Sequence, residues 1–294
     1  MIYKILIITF FNFCFNSTLN TYNDYSVTYH YNDEHVFNVK IEVGDVLLSP
    51  VNINNQDFIR LNTPGSYLSR NIGEPEIPQF NQLIEIPHNA IPRIEIIEEN
   101  SISYNLNDFD ENIRIYPSQP SVPKSNTNNI AFEYNESIYN SNKYMEIDLI
   151  ELKEKGKLRE IRIGNLIVSP FKYNPKTNEL VVYTDIEFNI HFDNANLELT
   201  KTTKEEFASP YFETIFRNSI INYSSPYSST RDNNFMEDKV TYVIVANQVF
   251  DGYLDDFINW KSKKGYDVVV AYTNEIGSSA AAIKSYIQQQ YQNP

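Results

Sequence analysis

The chain has 294 residues, 24 Lys and Arg against 38 Asp and Glu, and a net charge of −14. This balance argues against nucleic-acid binding, which needs clustered cations for phosphate contact, while a 41% hydrophobic fraction with 22 Tyr and 18 Phe excludes wholesale disorder. Eight glycines build no GxGxxG or GxxxxGK phosphate cradle, and a single cysteine, Cys14, excludes a disulfide framework and a zinc–thiolate cluster.

Residues 1–19 are read as an export signal. Lys4 supplies the positive charge, Ile5 to Phe11 form an apolar run, and Asn12 interrupts it before Phe13-Cys14-Phe15. One charge followed by about ten apolar residues fits a secretory leader and is too short to span a bilayer. A buried first strand is the competing reading, because Ile5 to Phe11 are β-formers. The polar stretch after Phe15 favours the signal, and the lack of small residues before Cys14 argues against a lipoprotein. Cleavage after this segment removes the only thiol.

Residues 20–218 read as all-β and β-sandwich-like. Val36 to Val43 alternate apolar and polar residues, as do Ile84-Glu85-Ile86, Glu146 to Leu152, Leu158 to Ile163 and Glu187 to Phe192. Alternation of this kind gives half-buried strands. Lys155-Gly156-Lys157 and Pro175-Lys176-Thr177-Asn178 read as hairpin turns. Pro117 to Asn129 has three prolines and no apolar pattern, so it reads as an exposed loop. Asn135 and Asn222 stand in Asn-x-Ser sequences, which arise by chance in an Asn-rich chain. Residues 219–239, rich in Ser, Asn and Tyr, read as an interdomain linker.

From residue 240 the pattern changes. Val240 to Ala246 is a continuous apolar run that suits a strand covered on both faces. Asp251 is the expected cap of a helix with Leu254, Phe257, Ile258 and Lys261 at helical spacing, ended by Gly265. Asp267 to Tyr272 reads as a second strand, and Ser278 or Ser279 as the cap of a helix carrying Ala282, Ile283, Tyr286 and Ile287. A β-α-β-α order implies parallel strands. Two parallel strands cannot bury two sheet faces, so residues 240–294 are expected to be the truncated beginning of a longer α/β domain.

Catalytic chemistry is missing from these residues. There is no GxSxG elbow, and His30, His35, His88 and His191 are scattered with no nucleophile beside them. The acidic pairs Glu74/Glu76, Glu98/Glu99 and Asp108/Asp110 show no EF-hand register and read as solvated surface. Trp260, beside Phe257 on one helix, reads as core. No catalytic, cofactor-binding or metal residue is assigned.

Several segments resemble the precursors of the gingipain family of secreted bacterial cysteine peptidases. Gly73-Glu74-Pro75-Glu76-Ile77-Pro78 followed by Ile84-Glu85-Ile86-Pro87 looks like the early part of that family's propeptide. Val168 to Pro175 and Asn178 to Tyr183 resemble its later half, and Ser209-Pro210-Tyr211-Phe212 falls where it ends. Tyr242-Val243-Ile244-Val245, Trp260-Lys261, Gly265 to Val268, Ile276-Gly277 and Ile283 to Ile287 look like the opening of the peptidase domain.

The resemblance implies a zymogen: an all-β propeptide followed by the first βαβα units of a caspase-like α/β peptidase. The family's catalytic His and Cys map onto no residue here, so this stretch alone is expected to be inactive. By the same resemblance, the propeptide's partner is its own peptidase domain, which it keeps latent. The full-length enzyme would act on protein substrates, with calcium possible in its peptidase domain. Cleavage is expected in the linker, with Arg231 and Lys239 as the basic residues there, and Lys124 is the candidate side chain for plugging the cleft. Localisation would be extracellular or at the cell surface, with no membrane span and no nucleic-acid partner. The alternative is a non-catalytic surface-binding or adhesion module built on the same β-domain.

Overall fold

Period-two alternation becomes strand after strand in the first two-thirds of the chain. The computed structural model describes residues 17–53, 55–109, 113–121, 131–226 and 240–292. In chain order the strands here are Ser17–Leu19 (β1), Ser26–Asp33 (β2), Val36–Glu42 (β3), Val46–Ile53 (β4), Gln56–Asn62 (β5), Tyr67–Leu68 (β6), Pro78–Glu85 (β7), Ile91–Asn105 (β8) and Arg114–Ile115 (β9). Ile150–Leu158 (β10), Ile161–Val168 (β11), Phe171–Asn174 (β12) and Glu179–Asp193 (β13) complete this series.

These strands form three sheets. One has the order β1-β4-β5-β9, with β5 and β9 parallel. The second runs β10-β11-β7-β6, and the third β12-β13-β3-β2, with β8 paired along the whole of β13. On β13, Leu180, Val182, Ile186, Phe188 and Ile190 are 0% exposed while Glu187, Asn189 and His191 point the other way. Leu19, Leu48 and Leu61 from the first sheet, Phe80, Ile84 and Leu166 from the second, and Phe37, Ile41 and Phe188 from the third share one core.

Among the described residues, three α-helices accompany the sheets: the single turn Glu136–Tyr139 (α1), Leu197–Glu206 (α2) and Pro210–Ser219 (α3). The sequence reading placed no helix at α2 or α3. Asn196 caps α2 by accepting a hydrogen bond from the Leu199 amide at 2.9 Å. Phe216 of α3 packs with Ile161 and Ile220, and with Leu83, Ile163 and Tyr223, in a second small cluster. The hairpin turn expected at Lys155-Gly156-Lys157 lies further along the chain. Gly156 lies inside β10 at a bulge, with φ +129°, and the chain reverses at Arg159-Glu160, both at positive φ. Pro175 to Asn178 does form the turn between β12 and β13.

The second unit has two parallel strands, Thr241–Ala246 (β14) and Asp267–Tyr272 (β15), in register from Thr241 opposite Asp267 to Ala246 opposite Tyr272. Its helices are Asp255–Lys263 (α4), Thr273–Ile276 (α5) and Ala280–Gln292 (α6). Asp251 does not cap α4; it ends a 3-10 turn over Gln248–Phe250, and Leu254 holds the cap position. Gly265, at φ +92°, follows the helix as the spacing predicted. Ser279 caps α6, its hydroxyl accepting from the Ala282 amide at 3.1 Å. Trp260 is 48% exposed rather than core. Among the described residues no helix is long and apolar enough to cross a membrane.

The boundary between the two units falls between Tyr227 and Ser228. The first residues of the segment read as linker are therefore not free. Ile220 and Asn222 are 3% and 6% exposed, because residues 220–222 pack onto β7.

Candidate functional site

Two places in the first unit tie distant segments together with polar groups. The first is the base of the Pro-rich loop. The Gly73 amide donates to the Ser118 carbonyl, the Ser118 amide to Glu74 and the Glu76 amide to Tyr116, each at 2.8 Å. Pro75 and Pro117 face each other in an antiparallel bridge, so residues 73–77 form a platform under the loop's outgoing arm. The returning arm lands on the same platform, where the Asn135 amide donates to the Gly73 carbonyl at 2.9 Å. Gly73 sits at φ +79°, and a Cβ there would stand 3.3 Å from the Asn135 nitrogen, which accounts for a glycine at this position.

The two arms are also clamped to each other. Gln119 donates through Nε2 to the Glu133 carbonyl at 2.8 Å and accepts from the Glu133 amide at 3.0 Å, reproducing with a side chain the paired bonds of a strand ladder. Phe132 and Tyr134 pack their rings against Phe58. Tyr139 donates to the Ile115 carbonyl at 2.6 Å, and burial drives its phenol far above the ordinary range.

Beneath the platform, Glu76 faces Arg60 at 3.3 Å, and the Arg60 guanidinium lies 4.1 Å over the Tyr116 ring. Neither Arg60 Nε nor Glu76 Oε2 has a well-directed hydrogen bond, so this contact is one of charge. Burial pushes the Glu76 carboxyl up, against the pull of Arg60. The expectation of a solvated Glu74/Glu76 pair is therefore corrected for Glu76, which is 9% exposed.

The second place is the strap formed by residues 220–226. The Ile221 amide donates to the Leu83 carbonyl at 3.0 Å. One residue on, Asn222 imitates a strand with its side chain: Oδ1 accepts from the Glu85 amide at 2.6 Å and Nδ2 donates to the Glu85 carbonyl at 2.9 Å. Nδ2 also donates to the Tyr31 hydroxyl at 3.1 Å. Asn222 is thus a structural residue of the strap. Below it, Lys204 of α2 spends all three ammonium protons, on Glu85 Oε2 at 2.8 Å, Glu85 Oε1 at 3.0 Å and Ser224 Oγ at 3.1 Å. Its ammonium also lies 4.7 Å over the Tyr223 ring. Beside this network opens a cavity of about 820 Å³, lined by Tyr31, Glu85, Lys204, Asn222 and Ser224 among others.

The histidines stay apart. His30 and His35 are exposed, and His191 pairs with Glu95 at 2.6 Å. His88 has no partner on Nδ1, and burial together with Lys157 and Arg162 lowers its imidazole. Among the described residues no group of three or more His, Cys, Asp and Glu could hold a metal ion. Lys124, Arg231 and Lys239, and most of the leader, lie outside the described residues.

A β-rich domain with a clamped loop and a strapped C-terminal end, leading into parallel β-α-β units, defines the class: a propeptide joined to the start of an α/β peptidase domain. The chain belongs to the C25 propeptide family, whose model, Propeptide_C25, matches residues 21–230; that of Peptidase family C25 matches residues 236–294. It is 28% identical over 258 residues to Lys-gingipain HG66 of Porphyromonas gingivalis, covering 87% of this chain and 15% of that one. It is 24% identical over 224 residues to gingipain R2 of the same organism, covering 75% of this chain and 29% of that one. The chain thus spans less than a third of the length of these relatives.

Two solved structures are similar. A chain from work on the zymogenic latency of gingipain K from Porphyromonas gingivalis matches with a TM-score of 0.57 and 25% identity, over 61% of this chain and 100% of that one. A chain from the complex of the RgpB pro- and mature domains of the same organism matches with a TM-score of 0.54 and 18% identity, over 67% and 97%. The latter likeness concerns the fold alone. The resemblance drawn from segments within residues 73–87, 168–183, 209–212 and 242–287 is thereby confirmed at the level of the family.

Proposed function

We propose that residues 17–226 form the pro-domain of an exported cysteine endopeptidase precursor and hold its peptidase domain latent until the linker is cut. The observation that carries this is the tandem order of the two family matches, 21–230 and then 236–294, on a first unit with a complete core. The partner is then the chain's own peptidase domain. Proteins are the substrates of the whole enzyme, and any calcium belongs to its peptidase domain.

The loop 117–129 is the element proposed to enter the active-site cleft, with Lys124 as the plug. The Gln119–Glu133 clamp and the 73–77 platform favour this reading, since a plug needs its base fixed to keep its binding entropy cost low. The docked strap moves the expected cut to the C-terminal side of Pro226, with Arg231 and Lys239 as its basic residues. The family's catalytic His and Cys correspond to no residue of this chain, so residues 17–294 alone are expected to show no thiol-dependent proteolysis.

The test uses the full-length precursor. Sequencing of the matured product should give a start between residues 227 and 240, and a start elsewhere sinks the linker assignment. Lys124→Ala should weaken inhibition of the mature peptidase by the released pro-domain at least tenfold. Unchanged inhibition sinks the plug.

A further inference from the structure

We propose that the export signal ends before Ser17, so that residues 17–19 remain in the mature chain as a strand of its fold rather than leaving with a leader of residues 1–19. The inference rests on the export reading given above and fixes where that processing stops. The reaction is hydrolysis of one peptide bond by water, leaving a new amino terminus at or before Ser17.

β1 lies antiparallel along the edge of β4, with Ser17 opposite Leu48, Thr18 opposite Leu47 and Leu19 opposite Val46. Leu19 is 1% exposed and belongs to the core shared by all three sheets. The chain stays fixed immediately afterwards. The Tyr104 hydroxyl donates to the Asn20 carbonyl at 2.6 Å, and Thr21 donates to Asp45 Oδ1 through both its amide, at 2.8 Å, and its hydroxyl, at 3.3 Å. Thr21 is itself 3% exposed.

Removing residues 17–19 would have two consequences. The edge of β4 would lose its ladder partner, leaving a bare edge open to intermolecular pairing. Val46 and Leu48, now 0% and 2% exposed, would also lose the Leu19 side chain packed with them, creating a cavity at the sheet's margin. The chemistry of leader cleavage does not decide the boundary by itself, because it asks only for small residues just before the bond. Both options meet this rule only at the third position before the bond, Cys14 for the bond after Asn16 and Thr18 for the bond after Asn20, with Asn next to the bond in each. The fold separates these options: only the first leaves the core intact.

The experiment exports the full chain, with its own N-terminus, from a Gram-negative host. It reads the first residue by intact mass and N-terminal sequencing, and melts the product beside Leu19→Ala. A start at or before Ser17 is expected, with Leu19→Ala lowering the melting temperature by about 5–15 °C. If Leu19→Ala does not accumulate as folded protein, Leu19→Val should show a drop of a few degrees. A start at Thr18 or later, or a melting temperature insensitive to both variants, overturns the proposal while leaving export standing. A product that keeps Met1 overturns the cleavage and the export reading together.

Discussion

The two units of this chain are assembled from equally regular local patterns, yet they bury very different amounts of side chain. In the first, Phe37, Phe58, Phe80, Phe171 and Phe188 are at most 1% exposed. In the second, Ala271 is the sole buried residue among those described, and α4 and α6 contain none. A parallel pair of strands has two faces and two edges to satisfy, and the elements beside β14 and β15 do not seal them. Regular elements are thus made locally, whereas a core requires pairing between distant parts of the chain, such as β13 with β3 and β8.

The broadest way to break this comparison is to delete one aromatic ring from each unit. Phe188→Ala should destabilise the first unit by about 4 kcal/mol, the usual cost of a cavity left by a buried phenylalanine. Trp260→Ala, at a position 48% exposed, should cost about 1 kcal/mol or less, the sum of a partial apolar contact and the Lys261 and Lys264 ammonium groups over its ring. Thermal unfolding followed by circular dichroism measures both. Equal losses would mean that the second unit has a core of its own.

A second contrast concerns lysines. Lys204 and Glu85 have side chains only 8% and 7% exposed, whereas Lys261, on a helix that has no buried residue, holds its ammonium over the rings of Tyr242, Phe257, Trp260 and Tyr266 and, among the described residues, meets no carboxylate there. Lys204→Met should cost about 3 kcal/mol, chiefly because the Glu85 carboxylate stays buried without its counter-charge. The pair of substitutions Lys204→Met and Glu85→Leu should recover most of that loss, since a well-packed apolar pair replaces an ion pair at little cost. Denaturant titration of the single and double variants decides this. A double variant as unstable as the single one would show that the ion pair itself, and not the orphaned charge, supports the strap.

Much of this architecture is legible in the sequence, for a physical reason. Strand alternation is a nearest-neighbour property, and Val36 to Val43 and Glu187 to Phe192 carry it clearly, while Asp267 to Tyr272 shows its strand as a continuous apolar run after the aspartate. The helix ended by Gly265 and the one capped by Ser279 have local signals too. What escapes is anything decided by a distant partner. Lys204 reads as a solvated helix residue until Glu85, 119 positions away, comes beside it. Asn222 reads as a linker residue until it bonds to both backbone groups of Glu85, 137 positions away. α2 lacked a helical stripe to find, because the side chain it buries is Lys204 rather than a row of apolar ones. At the candidate site, Gly73 to Pro78 stood out as a motif, but its work as a platform under the loop depends on Tyr116, Ser118 and Asn135.

The smallest expected effect sharpens the contrast through pH. Glu76 is held above the ordinary carboxylate range by burial, with Arg60 pulling the other way. A carboxyl whose folded pKa is raised binds its proton more tightly folded than unfolded. Its favourable contribution is complete below the unfolded pKa and is lost as pH rises through the folded one. Glu76→Gln removes that loss, so the variant's stability should fall less than the wild type's as pH climbs through the carboxylate range. At neutral pH the net change should stay within about 1 kcal/mol, because the Arg60 side chain is 40% exposed and its charge is well screened. Melting curves taken at several pH values measure the slope. A wild-type slope preserved in Glu76→Gln would assign the pH dependence to another carboxyl, with Glu85 the next to substitute, because burial raises it as well. A steeper slope in the variant would mean that Arg60, not burial, governs Glu76.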